Sequence, residues 1–133
     1  MTTMSRSFRV VGINQEPTTR KVANWICKHY PALNEGEGKR PEVCIKHKPY
    51  CEGNRVVDPM AVKVYLVRDG KYFPLGWISK KDESGIRPNK LLVKLIDKKA
   101  ILEVKLEKCG SFVPEDESTV KFYAAIIVKA KLG

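Results

Sequence analysis

Apolar and polar positions alternate over several short stretches of this 133-residue chain and recur at helical spacing in two others. Phe8, Val10 and Ile13 predict a first strand over residues 8–13, closing at Gly12. The small polar residues Met1 to Ser7 ahead of it predict a frayed terminus. Pro17-Thr18-Thr19 has the chemistry of a helix start, with Thr18 or Thr19 as cap. Val22, Ala23, Trp25, Ile26 and Tyr30 then repeat near 3.6, so residues 19–29 read as an amphipathic helix stopped by Pro31. Residues 34–41 are a loop by their Gly, Asn and Pro content. Over residues 43–48, Val43 and Ile45 fall on one side of a strand, Lys46 and Lys48 on the other.

After Pro49 a polar, Gly-containing connection leads to Asp58-Pro59. Pro59 lacks a backbone N–H and biases Asp58 toward extended backbone. A hairpin follows: residues 61–67, a turn at Asp69-Gly70, and a returning strand over 72–78. Phe73, Leu75 and Trp77 share the period-two row, which predicts Trp77 for the core, while Tyr65 falls with Lys63 on the opposite face. Residues 80–89 form a basic irregular linker. Leu91, Leu92, Leu95 and Ile96 predict a second helix over 89–99, with Lys90, Lys94 and Lys98 on its wet side. Leu102, Val104 and Leu106 alternate with charges, an acidic loop covers 113–118, and a last strand covers 120–128. Six strands and two helices predict one mainly-β (α+β) domain over 1–133, a small curled six-stranded β-barrel.

Asp58, Pro59, Ala61, Val62 and Val64, followed by Leu75-Gly76-Trp77-Ile78, have the order of an Asp-Pro-Asn-Ala-Val-x-Val segment and a Leu-Gly-Tyr-Val-Pro segment. In this the chain resembles the HIRAN domain, a β-barrel module of some DNA helicases and translocases that also occurs as stand-alone bacterial and phage proteins. Val11-Gly12-Ile13 is similar to that family's first strand. Met60 stands where the family has Asn, and Asn14-Gln15 stand where it has a basic and an aromatic residue. The resemblance implies an OB-like barrel that binds single-stranded DNA. It places Asp58 at the free 3′-hydroxyl, where a carboxylate would reject an internal or terminal phosphate by repulsion. It also implies a protein of the replication or repair machinery as a second partner.

Charge points the same way. Twenty-five Lys and Arg against fifteen Asp and Glu give +10 and a pI near 9.5, a balance that favours polyanions through counterion release. Lysine outnumbers arginine, which suits phosphate contacts better than bidentate reading of bases. The expected nucleic-acid-binding residues are Asn54, Arg55 and Asp58 in one loop, Lys63 with Tyr65, Lys46 and Lys48, and Asn14 with Gln15. Tyr50, Tyr72 and Trp77 are further rings beside the hairpin.

Signals for catalysis are thin. The chain has no phosphate-binding Gly loop, no Gly-x-Ser-x-Gly and no His-Glu-x-x-His. Asp58 and Asp82 are carboxylates without the acidic cluster a metal-dependent nuclease needs, so no enzyme and no cofactor are expected. Cys44, His47 and Cys51 lie near one another in sequence, but Cys-x6-Cys is not a zinc knuckle. Free thiols and a cytoplasmic location are the expectation for all four cysteines. No segment approaches the ~18 apolar residues of a membrane span. A protein-interaction module, such as a phage-encoded inhibitor presenting its basic face to an acidic host protein, is the alternative from another class.

Overall fold

The computed structural model describes residues 2–35, 39–81 and 87–132. Eight strands and two α-helices occur among them: β1 (Thr2–Val11), α1 (Pro17–His29), β2 (Val43–His47), β3 (Tyr50–Glu52), β4 (Arg55–Asp58), β5 (Val62–Arg68), β6 (Lys71–Ile78), α2 (Pro88–Asp97), β7 (Ile101–Phe112) and β8 (Lys121–Leu132). Six form one antiparallel sheet in the order β2-β5-β6-β1-β8-β7, curled into a half-barrel, and β3-β4 form a separate two-stranded ribbon. This is the mainly-β, two-helix architecture that the alternation predicts.

One row of each strand in the six-stranded sheet faces inward. Phe8 and Val10 of β1, Val62, Val64 and Leu66 of β5, Leu75 of β6, Leu106 of β7, and Ile126 and Val128 of β8 join one core cluster. Val22, Ala23 and Ile26 of α1 and Leu92, Val93 and Leu95 of α2 belong to the same cluster, so both helices give their apolar stripes to it. Each helix begins with proline in its first turn, where a missing N–H costs nothing. The cap of α1 is Glu16 rather than Thr18 or Thr19. Thr19 is buried in the first turn, and its hydroxyl donates to the Ile13 carbonyl at 2.7 Å.

Three expectations are corrected. Residues 2–7 are not a frayed end: they belong to β1, which pairs with β8 from Thr2↔Leu132 onward. Polar composition misled there because a long partner strand supplies the backbone bonds and Met4 packs against the core. The connection after Pro49 is the β3-β4 ribbon rather than a loop. Trp77 leaves the core. Val64 pairs with Gly76 and Tyr65 with Pro74, so Leu75 is an extra residue in β6. That bulge reverses the side on which later residues point. Leu75 stays inside, and Trp77 moves to the outer face as the partner of Lys63. Residues 82–86 of the 80–89 linker, including Asp82, lie outside the described residues, as do residues 36–38 of the 34–41 loop.

Candidate nucleic-acid interface

The outer face of β2, β5 and β6 is built by register. Lys46 pairs with Lys63, and Lys63 pairs with Trp77, so the three side chains form one row across three strands. Tyr65 lies two residues along β5 on the same face, and Tyr72 follows near the hairpin end. Cations and rings interleave. Lys46 Nζ lies 3.7 Å from the Tyr72 ring centre and 5.6 Å from that of Tyr65. Lys63 Nζ lies 5.0 Å from the Trp77 ring and 5.7 Å from the Tyr65 ring. Tyr65 and Tyr72 meet edge to face, as do Tyr50 and Trp77. Among the described residues neither Lys46 nor Lys63 has an ion-pair partner. The Lys63 pKa lies below the ordinary lysine value, first through loss of water on burial and then through Lys48; Glu16 pulls it back in part.

This row runs into a cleft of about 500 Å³. Trp77 and Lys63 form one wall, the turn Gly12–Glu16 another, and Tyr50 and Asp58 of the ribbon the third. Lys80 and Lys81 stand at its edge. The walls meet because glycine allows it. A Cβ on Gly76 would lie 2.6 Å from the Val11 carbonyl oxygen, so β1 and β6 could not approach as they do. Gly12, at φ +81°, makes the turn out of β1.

Asp58 is almost fully buried at the base of the ribbon. Its Oδ1 accepts the Met60 N–H at 3.0 Å, an Asx turn that shapes the Pro59 corner. Its Oδ2 accepts from Asn89 Nδ2 at 3.3 Å and faces Lys80 Nζ at 3.8 Å. Asn89 is buried too, and its Oδ1 has no hydrogen-bond partner among the described residues. Of this pair only Asp58 lines the cleft, and Asn89 supports it from behind.

The structure brings together Lys46, Lys63, Tyr65, Asp58 and Gln15, the last lining the cleft. Lys48 stands just past the end of β2, close enough to repel the Lys63 charge. Asn54 and Arg55 do not share a loop with Asp58. They occupy the far end of the β3-β4 hairpin, about 10 Å along β4 at strand rise, and do not line the cleft. Asn14 is spent on the fold, since its amide both donates to the Phe122 carbonyl at 2.9 Å and accepts its N–H at 2.8 Å. Asn89 is the residue that sequence reasoning misses. It sits thirty-one positions from Asp58 on a helix that reads as ordinary, and no local signal marks it.

The zinc-type cluster does not assemble. Cys44 and His47 point to opposite faces of β2, and His47 Nε2 donates to the Pro59 carbonyl at 2.8 Å. No group of three or more His, Cys, Asp or Glu able to hold a metal occurs among the described residues. Among them, too, no helix is long and apolar enough to cross a membrane.

Comparison of the chain with models of known families, with characterised proteins and with solved structures finds no match. The likeness to the HIRAN domain therefore rests on the residues quoted above.

Proposed function

We propose that this protein is a non-catalytic module that binds single-stranded nucleic acid, DNA in the first instance, along the outer face of β2, β5 and β6. One observation carries the reading: Lys46 and Lys63 stand opposite each other, unpaired with acid among the described residues, each over aromatic rings. Lysines suit backbone phosphates. Rings on the same face offer stacking for splayed bases, at ~1–3 kcal/mol for each base. A sheet face with both is suited to a flexible single strand rather than to a duplex, whose bases are already stacked.

The cleft gives the strand an end. The Asp58 carboxylate in its wall suits a hydroxyl that donates, and its charge opposes a phosphate at the same point. The HIRAN resemblance supports the same assignment for Asp58. Fluorescence anisotropy tests the reading with labelled single strands ending in 3′-hydroxyl or 3′-phosphate, with duplex DNA alongside, at two salt concentrations. Single strands should bind best, with affinity falling steeply as salt rises. Equal affinity for duplex and single strands, or no binding at low salt, would overturn it and favour a protein partner for the basic face.

A further inference from the structure

A second group of rings lies on the other side of the β5-β6 hairpin, outside the cleft. His29 stacks on Trp25 with ring centres 4.2 Å apart and planes 21° from parallel. The Arg68 guanidinium lies 3.9 Å from the centre of the same indole. Tyr30 tilts against Trp25 at 6.0 Å. Trp25, His29, Tyr30, Pro31, Ala32 and Lys39 enclose an open groove of about 390 Å³. A strand-binding groove needs such parts: rings for bases, and a lysine at the rim for phosphate.

We infer that this groove is a second stacking site for the same nucleic-acid strand, reached around the end of the β5-β6 hairpin; the inference rests on the function proposed above. Continuity carries it. Tyr72, the last ring of the outer face, pairs with Val67, and the next pair is Lys71 with Arg68. Arg68 thus begins where the first platform ends and reaches the second with its guanidinium. Stacking occupies the faces of a guanidinium but leaves the N–H edge open to phosphate. Arg68 has no ion pair among the described residues. The outer face, the basic hairpin end and the Trp25 groove form one track in which rings and cations alternate.

Strand length tests this. A strand of about 4 nucleotides can cover the outer face and cleft, whereas one of about 16 can also turn the hairpin end. The double variant His29→Ala with Lys39→Ala alters two exposed side chains, so it should stay folded and lower the melting temperature only modestly, through the lost His29–Trp25 stack. It should weaken binding of the long strand by about tenfold or more and leave the short strand as it was. Lys46→Ala with Lys63→Ala should weaken both lengths. Equal loss on the two lengths, or no loss on the long one, would overturn the second site while leaving the first intact. Failure of the wild type to bind either length would overturn both.

Discussion

Lys46 and Lys63 are direct cross-strand partners on the outer face of β2 and β5. Like charges placed opposite each other destabilise a sheet, and among the described residues no acid pairs with either of them. The rings beneath them offset part of that cost, since a cation over an aromatic face gains roughly 0.5–1 kcal/mol when exposed. A chain under pressure only to fold has no use for this pair. A chain that must hold phosphates does, because a bound anion between two ammonium groups turns their repulsion into attraction for the ligand.

The pair predicts that stability and binding respond in opposite directions. Lys46→Ala removes the repulsion, so the folded protein should be unchanged or gain up to about 0.5 kcal/mol by urea denaturation. The same change should weaken single-stranded DNA, and each lysine removed from a phosphate contact should reduce the salt slope by about 0.7. A parallel loss of stability and affinity would show that Lys46 serves packing instead.

Lys63 adds a pH dependence. The folded chain holds its proton less tightly than the unfolded chain, because burial and Lys48 both disfavour the charge. This group therefore lowers stability at neutral pH, and the loss is recovered as pH rises through the folded value toward the ordinary lysine value of about 10.4. Binding should run the other way and decline over the same alkaline range as the ammonium is lost. Lys48→Ala should shift that decline to higher pH. Oligodeoxyadenylate is the suitable probe, since its bases do not titrate there. A decline that Lys63→Met leaves in place would remove Lys63 from the contacts.

The alternation of Val62, Val64 and Leu66 against Lys63 and Tyr65 was enough to place the hairpin and its outer face, because the period of a strand is written in its residues. Trp77 was misplaced because a β-bulge at Leu75 leaves no local mark; it arises from how β5 and β6 align. β1 was cut short for a related reason. Thr2 to Ser7 have little apolar content of their own and are held by β8 more than a hundred residues later. Asp58 was legible from the Asp-Pro corner, but Asn89 became its neighbour only when α2 packed beside the sheet. Local chemistry shows in sequence, whereas juxtaposition made by topology does not.

The four thiols should differ in reactivity in an order set by burial. Cys51 is exposed and should react first with a disulfide reagent at pH 8. Cys27 and Cys44 should follow, since loss of water on burial pushes both thiols up and thiolate is the reacting form. Cys109 is buried, and desolvation, reinforced by the neighbouring Cys27, pushes its thiol far up, so it should react only on unfolding. Four thiols should titrate in denaturant. A count below four, or stoichiometric zinc by elemental analysis, would contradict this arrangement.

Asp58 separates a structural role from an end-reading one. Asp58→Ala removes the acceptor for the Met60 N–H and the acceptor for the buried Asn89 Nδ2, so it should cost about 1–3 kcal/mol of stability. Asp58→Asn is gentler. The new amide oxygen can still accept from Met60, and rotating the Asn89 amide would offer its unpartnered oxygen to the new N–H₂ group. Stability should therefore fall by less than about 1 kcal/mol, chiefly through the lost attraction to the exposed Lys80. End discrimination should change far more. The wild type should bind a 3′-hydroxyl strand more tightly than a 3′-phosphate strand, and Asp58→Asn should close that gap by relieving the repulsion of the phosphate. A wild type that binds both ends equally would confine Asp58 to shaping the Pro59 corner.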